Sequence, residues 1–304
     1  MIDLLDRRVR AIAEATLRQA GVWGVLPTPL DAVARAAGIA EIVDIGALPD
    51  DLRRARPAAM AKILGAFHFA AGAAFVDRSL GPGRSRFVQA HETAHRLLPW
   101  HERAFLLDDE RRLFRETEEA LEREANLLAS HLIFQPGAFA ARIADQPPSL
   151  RAARRLAREH GASCHATLRY YVEHHPEPLA LLATGRIRRV DGTVPVWTAC
   201  ESPAFRRRFG PLSGRLHRRG LHLGGGPAPA PAVGRDRAAG RELAALVEAT
   251  RLCGSVGRQE VGLHDRRGES QPFLAEALRQ RSVLVLLSPL APGPGRGLAV
   301  PLAS

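Results

Sequence analysis

Lysine is almost missing from this chain. Lys62 is the only one, and nearly all the positive charge is arginine. A surface selected to grip nucleic acid usually mixes the two residues. The formal net charge of +11 therefore reads as the coding bias of a GC-rich genome, in company with heavy use of Ala, Gly and Pro. Runs such as Arg206-Arg207-Arg208 remain able to meet phosphate. No aromatic residues interleave with them in a pattern suited to stacking on bases. Cysteine is also scarce. Cys164, Cys200 and Cys253 are odd in number, widely spaced and form no CxxC, which excludes a disulfide framework and a cysteine-based zinc site. Long apolar runs are missing too. The most apolar stretch, Ala58 to Val76, is interrupted by Lys62 and His68 and reads as buried structure rather than a membrane span. The first residues include Asp3 and Asp6 and have no apolar core, so no signal peptide is expected and the expected location is the cytoplasm. No internal repeat is visible.

What is present is enough to build a core. The 304 residues are 46% hydrophobic, a length that suggests two domains with a small third unit. Residues 4–20 place Leu5, Val9, Ile12, Ala13 and Leu17 at helical spacing, and Gly21 stops the helix. Pro29 and Gly38 bracket a second short helix. Ala58 to Phe67 reads as a third helix, Ala71 to Asp77 as a strand, and Leu80 to Gly83 as a turn. A helix is expected over 85–98, ended by Pro99 and followed by an acidic loop through Asp108 and Asp109. A long helix follows from about Leu113 to Phe134, stopped by Pro136-Gly137. Residues 150–173 give two helical patterns broken at Gly161, a spacing also found in helix-turn-helix units. Beyond Pro176 the pattern turns to strands, at 180–187, 194–199, 259–263 and 282–287. A hairpin-like turn is expected at 262–268 and a short helix at 273–279. Residues 224–233 are low in complexity and read as a loop or linker. The fold class is thus α+β, divided as 1–148, a helical segment 149–178 and a C-terminal α+β part 179–304, which could be regulatory.

The chemistry concentrates at His91-Glu92-Thr93-Ala94-His95. Two histidines at i and i+4 project from one helix face and can reach the same ion. Glu92 sits about a third of a turn from His91 and can reach a metal-activated water, take its proton and hand it to a leaving amine. Phe87, Ala90, His91, Ala94, His95 and Leu98 share one face, so the motif lies on an amphipathic helix. This HExxH pattern points to a zinc hydrolase, with Zn2+ held by His91 and His95 and Glu92 as acid/base.

Catalytic zinc needs a third protein ligand. His101 stands ten residues after His91, where HExxHxxGxxH enzymes carry their third histidine, but Leu98 occupies the position of the glycine that lets the chain double back. Glu122 is the preferred alternative. It shares a face of the long helix with Asn126, Ala129 and Ile133, and a carboxylate on such a face is costly unless paired or metal-bound. Glu124 points away from that face.

These residues resemble the ImmA/IrrE-type metallo-endopeptidases. Arg86-Phe87-Val88-Gln89-Ala90-His91-Glu92-Thr93-Ala94-His95 is similar to that family's rFtxAHExxH, and Glu122-Arg123-Glu124-Ala125-Asn126-Leu127-Leu128-Ala129 to its ExEANxFA. Leu132-Ile133-Phe134-Gln135 and the 26–39 segment look like further family landmarks, and the good resemblance spans about residues 25–175. The resemblance implies a gluzincin-like domain in which His91, His95 and Glu122 bind zinc and Glu92 is the catalytic acid/base. It also implies a regulatory protease with few substrates. Known members cleave helix-turn-helix repressors, switching on mobile-element transfer or DNA-damage responses. The expected partner is accordingly such a repressor. The strand at 71–77 could present an edge to the substrate. The alternative reading is a DNA-binding regulator that uses residues 150–174 and keeps the peptidase-like part as a scaffold.

Overall fold

The computed structural model describes residues 2–47, 65–108, 115–144, 146–185, 193–212, 221–222, 237–254 and 257–290. The fold is a mixture of helix and sheet, and it divides into two compact units. One comprises 1–145 and 154–167; the other comprises 146–153 and 168–304.

In the first unit α1 (Ile2–Gln19) buries Val9, Ala13 and Leu17, one residue per turn along one stripe. It ends where Gly21 takes a positive φ of 68°, which lets Val22 N–H bond the Leu17 carbonyl at 2.9 Å and Gly21 N–H bond that of Arg18 at 3.0 Å. α2 (Leu30–Ala36) follows, then β1 (Glu41–Asp44), β2 (Gly65–His68) and β3 (Ala73–Val76). The sheet order is β1-β3-β2, with β1 parallel and β2 antiparallel to β3. Two sequence expectations change here. The helix expected over 58–67 lies largely outside the described residues, and its end, Gly65 to Phe67, is strand. The 71–77 strand is the central one, so it offers no edge; among the described residues the two edges of this sheet belong to β1 and β2.

The motif helix is α3 (Pro82–Leu97). Pro82 opens it rather than closing a turn, because its missing N–H and fixed φ suit the first helical position. Leu98 is extended (φ −104°, ψ 94°), as a residue before proline prefers. Pro99 then starts a new helix, α4 (Pro99–Asp108), where an acidic loop is expected from sequence. The reason is the same asymmetry: proline ends one helix and suits the start of the next. α5 (Arg115–Phe134) and α6 (Pro136–Ala144) repeat this pattern around Gln135, whose φ is 48°. The Gln135 amide is fully buried. It accepts from Gly24 N–H at 2.7 Å and donates to the Val25 carbonyl and Thr28 Oγ1, each at 3.0 Å. A core of Val9, Leu17, Ala94, Leu98, Ala125 and Leu128 joins α1, α3 and α5. The alanines at 94 and 125 leave room for a close approach of α3 to α5.

The two helices expected over 150–173 are α7 (Leu150–Glu159) and α8 (Cys164–Glu173), and the division between the units falls within them. The second unit also holds β4 (Ala180–Thr184), β5 (Thr193–Val194), β6 (Val196–Glu201), α9 (Pro203–Phe209), β7 (Leu221–His222), α10 (Arg237–Cys253), β8 (Gly257–His264), β9 (Ser270–Arg279) and β10 (Val283–Pro289). Five of these strands form an antiparallel sheet in the order β6-β4-β10-β9-β8. Phe205, Phe209, Leu243, Val247, Phe273 and Val285 are at the centre of its core. Residues 273–279, expected to be a short helix, are strand. Their Leu, Ala, Glu and Arg favour helix locally, but β9 is paired on both sides, and Phe273, Ala275 and Ala277 alternate into the core. The hairpin at 262–268 is present, with Asp265 Oδ1 accepting from Arg267 and Glu269 N–H at 2.9 and 3.1 Å. The low-complexity run at 224–233 lies outside the described residues. No helix among the described residues is long and apolar enough to cross a membrane.

Candidate metal centre and cleft

The orientation of α3 is set from its far side. Gln89 Nε2 donates to Asp31 Oδ1 at 2.7 Å, and Arg86 Nη2 to the Thr28 carbonyl at 2.7 Å. With that face fixed, His91 and His95 point together toward α5. Their Nε2 atoms are 3.1 Å apart. Glu122, from α5, places one carboxylate oxygen 3.3 Å from His91 Nε2 and the other 3.5 Å from His95 Nε2. A tetrahedral zinc with bonds of about 2.0–2.1 Å needs donor atoms roughly 3.3 Å apart. The three observed separations bracket that value, and the donor set, two imidazoles and a carboxylate, is one zinc takes. His91, His95 and Glu122 thus fit a single metal ion.

Glu92 lies beside this group and is only 6% exposed. Burial pushes its carboxyl up to about 7; the nearby His91 opposes the shift and Glu122 adds to it. Glu122 moves the other way. Its hydrogen bonds to His91 and His95 hold its carboxyl well below the usual carboxylate range. The two carboxylates are therefore driven apart in basicity, one suited to binding a cation and one to handling a proton.

The site opens into a cavity of about 820 Å³ bounded by β2, α3 and α5, with Phe67, Phe87 and Val88 on its apolar wall and Asn126 beside Glu122. Gly65 controls how closely β2 approaches. A Cβ there would lie 2.4 Å from Val88 Cγ1 and 2.5 Å from Glu92 Oε1. Sequence reasoning missed this residue because its reason for being glycine is a contact from another element.

His101 is not among the residues that converge on the ion position. It sits in the first turn of α4, fully buried, with Nδ1 2.9 Å from His95 Nδ1, on the side of that ring away from Nε2. Glu124, facing away from the Glu122 side of α5, meets α4 instead. Its Oε2 accepts from Trp100 Nε1 at 2.6 Å and lies 3.4 Å from His101 Nε2. Burial first, and then the proximity of His95, hold the His101 imidazole below its ordinary pKa.

The first unit, then, is a mixture of helix and sheet that carries this donor set. Residues 61–169 match the family model described as IrrE N-terminal-like domain, and the chain carries a domain of the ImmA/IrrE family in that segment. Comparison with curated proteins gave no match. Among solved structures, a Mycobacterium tuberculosis transcriptional regulator is similar over 94% of this chain and 79% of its own, with a TM-score of 0.50 and 16% identity. At that identity the likeness concerns the fold.

Proposed function

We propose that this chain is a zinc-dependent metallo-endopeptidase with a gluzincin-like site that cuts a regulatory protein, such as a helix-turn-helix repressor. The observation that carries the reading is the convergence of His91, His95 and Glu122 at tetrahedral spacing beside the buried Glu92. Zinc held there would acidify a water molecule and polarise a peptide carbonyl. Glu92 takes the proton of the attacking water on its carboxylate and returns it to the departing amide nitrogen. A raised pKa makes Glu92 the better base for that task. The main-chain edge of β2 suits an extended peptide laid antiparallel along it, with substrate side chains against Phe67 and Phe87.

The test is incubation of wild type and Glu92→Gln with a proteome-derived peptide library and with helix-turn-helix repressors encoded nearby, with products read by mass spectrometry. The proposal expects defined cuts by wild type and none by the variant. Equal products from both would defeat it.

A second reading, DNA binding, draws on α7, which exposes Arg151, Arg154, Arg155 and Arg158. Against it, α8 exposes only His165 and Arg169 among positions 164–173, a narrow face for reading base edges. A gel-shift assay that stays negative at low salt would end this reading.

A further inference from the structure

One imidazole of the motif is held from behind and the other is not. His91 Nδ1 is buried and has no hydrogen-bond partner among the described residues. His95 Nδ1 instead faces His101 Nδ1 at 2.9 Å, and beyond it stands Glu124, which Trp100 holds by an indole hydrogen bond. Arg8 lies over the Trp100 ring at 4.2 Å and covers it.

We infer that His101 is a positioning residue: it accepts a hydrogen bond from His95 Nδ1–H, and Glu124 fixes the tautomer that allows it to do so. The inference rests on the metallopeptidase reading, since it assigns a metal to His95 Nε2. The proton placement then follows step by step. An Nε2 that faces a cation must be bare, so the His95 proton sits on Nδ1. Two ring nitrogens 2.9 Å apart share one proton, so His101 Nδ1 is bare and accepts. The His101 proton is consequently on Nε2, the atom that faces the Glu124 carboxylate at 3.4 Å. Each donor meets an acceptor along the whole line from His95 to Glu124. A carboxylate behind a ligand histidine orients the ring and increases its basicity. Here an extra imidazole carries that influence, because Glu124 leaves the opposite face of α5 from Glu122 and meets Trp100 and His101 of α4. The break at Leu98-Pro99 makes this possible: a continuous α3 could not bring residue 101 back beside residue 95.

The test uses the full chain, stripped of metal and titrated with zinc against a chromophoric chelator. His101→Leu fills the space but cannot accept, and should weaken zinc binding by about 10–100-fold. His101→Asn can place Oδ1 where Nδ1 stood and should recover most of that loss. Glu124→Gln should fall between the two. A folded His101→Leu that binds zinc as tightly as wild type overturns the relay while leaving the metal site standing; wild type that binds no zinc overturns both. Should the leucine variant not fold, long-range 15N–1H spectra of zinc-loaded wild type decide the matter. They are expected to show His101 protonated on Nε2 and bare on Nδ1, and the opposite tautomer refutes the inference.

Discussion

Gly65→Ala is a one-methyl perturbation whose consequence can be worked from distances. The added carbon would sit 2.4 Å from Val88 Cγ1, and ordinary contact begins at 3.4 Å, so the two atoms must separate by about 1 Å. Val88 is β-branched and buried on α3, with little rotamer freedom to yield. The other close atom is Glu92 Oε1 at 2.5 Å, on a side chain that can swing but only by leaving its position beside the metal ligands. Overpacking of this size costs about 1–3 kcal/mol, and a catalytic group displaced by about 1 Å can lose on the order of 100-fold in rate. The three atoms nearest the new methyl belong to Val88 and Glu92, none to His91, His95 or Glu122. The expected result is therefore a lower Tm, cleavage of a wild-type library substrate reduced at least about tenfold in kcat/KM, and unchanged zinc affinity. Wild-type turnover in a folded Gly65→Ala would show that Glu92 does not need this approach of β2, and would refute the reasoning.

Three further outcomes follow from other parts of the molecule. Gln135→Ala removes the acceptor of Gly24 N–H and the donor to Val25 and to the buried Thr28 hydroxyl, three hydrogen bonds worth about 0.5–1.5 kcal/mol each, and should cost about 2 kcal/mol or more in denaturant unfolding. His175 in the second unit is 4% exposed, and burial pushes its imidazole down to about 4. Because the unfolded chain takes up that proton first, stability should fall as pH drops from about 6.5 to about 4, and His175→Asn should flatten the slope relative to wild type. Glu276 is 1% exposed, accepts from Leu150 N–H at the start of α7 at 2.9 Å and pairs with Arg258 at 3.1 Å; Arg258→Leu, which leaves the buried carboxylate without its cation, should lower Tm, and adding Glu276→Gln, which removes the stranded charge and keeps an acceptor for Leu150 N–H, should recover part of that loss.

Much of this chain is readable in one dimension where a local rule dominates. The HExxH face, the stop at Gly21, the break at Gly161 and the placement of Glu122 on the side of its helix that meets His91 and His95 all depend on helix periodicity or turn chemistry, which act within a few residues. The readings that changed depend on distant partners. Residues 273–279 carry helix-forming side chains yet lie between two strands whose paired residues are 4–20 positions away. The 71–77 strand looks the same in sequence whether it is central or an edge, because pairing is decided by β1 and β2. Gly65 and Trp100 stood out in no motif, and the run that contains Glu124 gave it no partner. Their roles exist only once β2 reaches α3 and α4 folds back after Pro99. His101 was visible as a candidate, and the structure moves it from the ion position to the back of His95.

The central claim is that His91, His95 and Glu122 hold one zinc ion. X-ray absorption of the metal-stripped chain reconstituted with zinc, alongside Glu122→Ala, tests it most directly. The account predicts one zinc per chain in wild type with a first shell of two imidazole nitrogens and oxygen donors, retained in Glu92→Gln and lost or greatly weakened in Glu122→Ala. A folded wild-type chain that binds no zinc, or a Glu122→Ala variant with an unchanged first shell, would contradict it.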